Sequence, residues 1–297
     1  MKTEKLIVIL GPTASGKSAL GVKLAKKFNG EIISADSRQV YRGLNLASGK
    51  ISKREIESVH HFCLDVTSLK NHYTAMQWKK CAESAIRKIV KKNKIPIIIG
   101  GTAFYINALI NNALIPEVKP NWKLRKELDE KTINELFRLL EKLDPRRAKT
   151  IEKDNPRRII RAIEIVKQTG KPVPEFKPGL RDDFEVLILG VRRSKEKLKN
   201  LIAARLKKRL KLGMVNEIKK LRASGTSWKR LEELGLEPRW IARFLQNTIS
   251  KPEMKSGIIR DSLKFVRHQM SWWKKDNRIR WINSQNSAEK LTKHFLN

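Results

Sequence analysis

The sequence predicts an α/β protein: a P-loop parallel sheet flanked by helices, with an inserted all-helical subdomain. Three observations predict it. Apolar runs before residue 115 and after residue 184 are continuous rather than alternating, which suits strands buried on both faces. The early runs alternate with helical patterns, the order of a parallel sheet. From about Pro116 the strand signal stops, and it returns only at Phe184.

In chain order, Lys5 to Leu10 is the first apolar run, broken by Gly11-Pro12. A helical pattern follows through Leu20, Leu24 and Phe28, with Gly30 as its stop. Glu31 to Ala35 predicts a second strand, Thr74 to about Lys92 a long helix, Ile95 to Ile99 a third strand and Ala103 to Asn112 a helix. Thr132 and Glu135 have capping-box spacing, and open a helix to Leu143. Asn155-Pro156 reads as an N-cap with proline at the first helical position, and Gly170 closes that helix. Phe184 to Val191 returns to the sheet, and the remainder reads as helical. The expected organisation is a core of 1–115 and 184–297 with a helical insertion at 116–183.

The 297 residues are 40% hydrophobic, as folded soluble proteins are. Lys and Arg number 65 against 30 Asp and Glu, a formal charge of +35. Such an excess works against compactness, and a polyanionic partner would reward it. A solvated, lysine-rich surface accounts for composition equally well. Residues 191–220 concentrate twelve Lys/Arg against two Glu. Cys63 and Cys81 form no metal pattern or disulfide framework, and no apolar run is long enough to span a bilayer. Together these features predict a cytoplasmic protein.

Gly11-Pro12-Thr13-Ala14-Ser15-Gly16-Lys17-Ser18 matches G-x-x-x-x-G-K-[ST], with a strand before it and a helix after it. Glycines let backbone amides converge on phosphate oxygens, and the helix N-terminus adds positive potential. Lys17 supplies a point charge, and Ser18 a hydroxyl for Mg²⁺. The motif specifies a phosphorylated ligand, not ATP. The strand at 95–99 ends in Gly100-Gly101-Thr102, without the carboxylate of a motor or switch NTPase. The nearby carboxylate is Asp36, at the end of the second strand, where ligands of open parallel sheets gather. By position alone Asp36 serves equally as a metal-shell or capping residue and as a general base.

Ser34-Ala35-Asp36-Ser37-Arg38-Gln39-Val40-Tyr41-Arg42-Gly43 after this P-loop resembles the tRNA dimethylallyltransferase family. So do His60-His61-Phe62-Cys63-Leu64-Asp65, Gly100 to Tyr105, Asp144-Pro145 and Asp154 to Ala162, in that order along nearly the whole chain. The resemblance implies attack of the N6 amine of adenosine 37 on dimethylallyl diphosphate, with Mg²⁺ and departure of diphosphate. It implies Asp36 as general base, Gly11 to Ser18 on the diphosphate with Ser18 on the metal, and Arg205 on the leaving group. Thr102 would position the adenine or the diphosphate. Asp36, Ser37, Arg38 and Gln39, with Arg157, Arg158, Ile159, Ile160 and Arg161, would meet the tRNA anticodon stem-loop. The insertion would close over the anticodon arm, and the resemblance implies a monomer.

Four places depart from the family pattern, the first being Ser18, which stands where Thr is frequent and keeps the hydroxyl. Asn45 to Ile51 replaces the usual Asp-Ile-Gly-Thr-Ala-Lys-Pro, Arg209 stands where an apolar residue is common, and Gly235-Leu236-Glu237-Pro238-Arg239 has proline at an aromatic place. Without the resemblance, Arg157 and Arg161 read as a solvated basic stripe. Asp144 and Asp154 read as helix caps, and His60 and His61 lack further ligands at metal spacing. Trp272, Trp273 and Trp281 lie among cations and read as core with a charged outer face, although such aromatics can stack on RNA bases. Two other function classes share these features: a P-loop small-molecule kinase, and an RNA-binding module with a vestigial nucleotide site.

Overall fold

The computed structural model describes residues 3–111, 116–175, 181 and 183–297. Six strands form one sheet: β1 Glu4–Leu10, β2 Gly30–Ala35, β3 His61–Phe62, β4 Ile95–Gly100, β5 Phe184–Val191 and β6 Arg280–Ile282. Their order is β3-β2-β4-β1-β5-β6, and every pairing is parallel. β1 is central, with Ile9 level with Ile99 of β4 and Leu189 of β5.

The continuous apolar runs have the meaning expected of them. On β1, Leu6, Val8 and Leu10 join one core cluster while Ile7 and Ile9 join another, so both faces of the strand are covered. Trp78 from helix Ala75–Val90 and Ile106 from helix Ala103–Ile110 pack on the first face. Val22 and Leu24 from helix Lys17–Lys27, with Ala288 from helix Gln285–Leu296, pack on the second. Burying a Leu or Ile side chain contributes about 1.5–3 kcal/mol. The long helix begins with a capping box between Thr74 and Gln77. β3 and β6 were not anticipated: two and three residues are too few to show an apolar period. Trp273 is a core residue, and Trp272 and Trp281, partly buried, pack against the same core cluster.

The chain divides into two compact units, Met1–Asn111 with Leu180–Asn297, and Asn112–Gly179. The second contains helices Trp122–Asp129, Ile133–Leu143, Pro145–Thr150 and Pro156–Thr169 around Leu128, Leu136, Leu140, Ile159 and Ile163. Its caps follow the sequence signals. Thr132 and Glu135 form the capping box, Asn155 accepts from the Arg158 amide, and Gly170 ends its helix at φ 66°. Asp144 caps as expected, taking the Arg147 N–H at 2.9 Å and the Val173 N–H at 2.8 Å.

Glu164, like Asp144, is a buried carboxylate of this unit. It accepts from Arg125 Nη2 at 2.7 Å, from the Asn121 amide at 2.7 Å, and from Arg161. Burial pushes its carboxyl up, but these donors outweigh burial and hold it below the usual range.

Candidate active site

The C-terminal ends of β1, β4 and β2 lie side by side, so the loops leaving them meet. After β1 the chain turns through residues 11–16, with the Ser15 N–H donating to the Pro12 carbonyl at 3.2 Å. Gly16 takes φ 91° and leads directly into helix Lys17–Lys27, which has no side-chain cap. Its first-turn N–H groups therefore face an uncapped end, the arrangement that favours an anion. Ser15 Oγ is buried and, among the described residues, has no hydrogen-bond partner.

Cations converge on this end. Lys17 Nζ donates to the Pro12 carbonyl at 3.3 Å. Burial pushes Lys17 down to about 8; Asp36 pulls it upward and Arg205 pushes it further down. Arg205, from helix Lys195–Lys211, donates through Nη2 to Thr13 Oγ1 at 2.6 Å. Burial, with Arg209 beside it, lowers Arg205 to about 10 against the pull of Glu237. Cations held with so little counter-charge are electrostatically prepared for a polyanion, which would raise both values again.

Asp36 leaves the end of β2. Its Oδ1 accepts the N–H groups of Arg38 at 2.9 Å and Gln39 at 3.4 Å, which fix the carboxylate. Among the described residues Oδ2 accepts no hydrogen bond. Asp36 and Lys17 line the same cleft, about 360 Å³, with Thr13, Arg38, Arg205 and Gln269. A larger groove of about 500 Å³ runs past Lys23, Arg193 and Gln285, but no carboxylate lines it. Of the two, the smaller cleft brings a carboxylate together with Lys17 and Arg205.

Sequence reasoning missed Gln269, from helix Lys251–Trp273. Its side chain is 3% exposed and joins Thr13 to Gly101 through two hydrogen bonds. It also missed Glu237, which lies in the cleft wall against Arg38 and Arg209. A buried glutamine 256 residues from its partner has no local signature.

Other expected residues have different surroundings from those the resemblance implied. Thr102 does not line the cleft; its Oγ1 accepts the Ser37 N–H at 3.1 Å and so braces the Asp36 loop. Gln39 ties that loop inward, donating to the Gly49 carbonyl at 3.3 Å. In the helical unit, Ile159 and Ile160 are core residues, 0% and 5% exposed. Arg161 is committed to Glu164 and the Val118 carbonyl, and Arg158 to Glu152 at 2.9 Å. Arg157 is exposed. His61 Nδ1 donates to the Val59 carbonyl at 2.9 Å, and His60 meets Phe62 edge-on.

The family model described as IPP transferase matches residues 39–276. The chain belongs to the IPP transferase family. Relatives in this family include the tRNA dimethylallyltransferase of Carboxydothermus hydrogenoformans, 36% identical over 99% of this chain and 97% of that one. The tRNA dimethylallyltransferase of Acetivibrio thermocellus is 34% identical over 98% and 96%. Among solved structures, the tRNA delta(2)-isopentenylpyrophosphate transferase of Staphylococcus epidermidis superposes with a TM-score of 0.73 at 30% identity, covering 99% of both chains. A eukaryotic dimethylallyltransferase acting on tRNA superposes with a TM-score of 0.85 at 26% identity, covering 99% of this chain and 80% of that one. An all-parallel sheet flanked by helices is thus the architecture this IPP transferase family member shares with them. Among the described residues no helix is long and apolar enough to cross a membrane.

Proposed function

We propose that this chain transfers the dimethylallyl group of dimethylallyl diphosphate to the N6 amine of adenosine 37 in tRNA, releasing diphosphate. One observation carries the reading: a single cleft is lined by the anion-seeking groups Lys17 and Arg205 and by the carboxylate of Asp36. That pairing suits a reaction with an anionic leaving group and a protonated nucleophile.

In this reading the diphosphate lies on the 11–18 loop, against the uncapped helix end, Lys17 and Arg205. As the bond between C1 and the bridging oxygen breaks, the oxygen keeps the electron pair, and the nearby cations lower the barrier by stabilising it. The adenine nitrogen forms its new bond to C1 and passes a proton to Asp36. An exocyclic adenine amine is a poor nucleophile, and general-base assistance is typically worth ~10²–10⁴-fold. The base must leave its stack to enter such a cleft, which costs least in a loop.

Ser18 is exposed in the first helical turn. Among the described residues no group of three His, Cys, Asp or Glu could cage a metal. One hydroxyl completed by phosphate oxygens and water suits Mg²⁺, which prefers such sites to all-protein cages. Bound there, Mg²⁺ would supply further neutralisation of the leaving group. The +35 charge and exposed Arg157 suit an RNA substrate.

The test is incubation of the protein with Mg²⁺, labelled dimethylallyl diphosphate and an anticodon stem-loop RNA. Label should pass to the RNA. ATP consumption without label transfer would replace this reading with a kinase, and salt-dependent RNA binding without product would replace it with a binding module.

A further inference from the structure

Three of the four places where the sequence leaves the family pattern meet at the wall of the cleft: Ser48, Leu236 and Glu237 line it, and Arg209 lies against Glu237 and Gly49. Gly49 has φ +67°, and a Cβ there would lie 1.9 Å from Arg209 Nη2. Its bare backbone makes room for the guanidinium of Arg209, which is 9% exposed. Arg209 Nη1 donates to Glu237 Oε1 at 3.1 Å, and the other carboxylate oxygen, Oε2, lies 3.6 Å from Arg38 Nη1. Arg38 also packs its guanidinium over the Phe265 ring at 5.4 Å. Its own N–H is one of the two that fix Asp36. One carboxylate therefore bridges two arginines, and one of those arginines shares a loop with the proposed base.

We infer that Glu237 is a positioning residue that holds Arg38 in the cleft beside Asp36 to receive the RNA, with Arg209 as the counter-charge that lets Glu237 remain buried. The inference rests on the tRNA reading above. An arginine side chain loses rotamer entropy when fixed; prior restraint by Glu237 and Phe265 means less is lost on binding. Without Glu237, Arg38 would face Arg205 and Arg209 with one carboxylate fewer, Asp36 and Glu217 remaining as counter-charge, and the increased repulsion would favour its exit to solvent. Arg209 would be left buried without its partner, which is the costly way to break such a pair.

The two effects separate in a pair of variants. Glu237→Gln and the double variant Glu237→Gln with Arg209→Leu are compared with wild type in thermal melts, in tRNA binding without donor, and in label transfer at varied tRNA and donor. Glu237→Gln should lower Tm and weaken tRNA binding by about tenfold, with the donor KM unchanged within twofold. The double variant should regain the lost Tm yet keep the weakened tRNA binding, since Arg38 stays unrestrained. Recovery of both would make Glu237 only a counter-charge to Arg209 and overturn the inference, as would undiminished tRNA binding by Glu237→Gln. If wild type binds tRNA but transfers no label, the transferase reading fails, while the binding comparison still decides this one.

Discussion

Gln269 Oε1 accepts the backbone N–H of Thr13 at 3.0 Å, while its Nε2 donates to the carbonyl of Gly101 at 2.8 Å. One side chain thus sets the spacing between the loop after β1 and the loop after β4. A Cβ at residue 101 would lie 2.3 Å from that Nε2, so the glycine there is part of the same fit. Gln269→Ala would leave the buried Gly101 carbonyl and the part-buried Thr13 N–H without this partner, at about 1–3 kcal/mol. We expect kcat/KM for the allylic diphosphate to fall at least about tenfold, while tRNA binding changes little. Steady-state kinetics with each substrate varied in turn, alongside a melt, checks this.

Asp36→Asn should nearly abolish transfer while tRNA still binds. Asparagine keeps an oxygen for the Arg38 and Gln39 amides, so the loop should stay in place and only proton acceptance is lost. The expected fall in kcat is ~10²–10⁴-fold. Full activity in single-turnover transfer assays would remove Asp36 as the base.

Burial lowers Lys17 to about 8 in the free protein. The group is charged below that pH and loses its proton as pH rises through it. A bound diphosphate favours the charged form and raises the value again. Consequently kcat/KM for the diphosphate should decline above about pH 8, while kcat at saturating donor stays level to higher pH. A profile of both parameters from pH 6.5 to 9.5 in steps of about half a unit checks the sign, and Lys17→Met should remove the alkaline limb.

Arg157 and Arg161 should separate, although they sit one turn apart on one helix. Arg157→Ala should weaken tRNA binding and reduce the slope of log K against log salt by about one. Arg161→Ala removes one of the donors to a fully buried carboxylate, so its principal effect should be on Tm, with the salt slope unchanged. Binding isotherms at several salt concentrations and melts of both variants decide the matter.

This contrast shows where the sequence is legible. The sheet could be read because Leu6 to Leu10 must be apolar on both sides of a central strand, and the helix ends because Thr74, Thr132 and Asn155 cap within three residues of themselves. The loop after β1 was legible because its glycines, lysine and hydroxyl are contiguous. A motif gives residue type, however, and not side-chain direction. Arg161 looked like an RNA contact, yet Glu164 three positions on was an i,i+3 partner in plain view. Glu237, Arg209 and Gly49 were each noticed, or lay within segments noticed, as departures. Nothing in their separation indicated that they touch, because ion pairs between distant segments have no period.

The central strand is paired on one side by β4 and on the other by β5, and the helical unit separates those two in the chain. A ribosome must therefore complete residues 112–179 before the strand beneath Gly11 acquires its second neighbour. Arg205 and Gln269 emerge later still. A nascent chain or amino-terminal fragment ending before Gln269 could carry the glycine loop and Asp36 yet lack the groups that brace Thr13. Bracing of the loop after β1 therefore waits until residue 269 has been made.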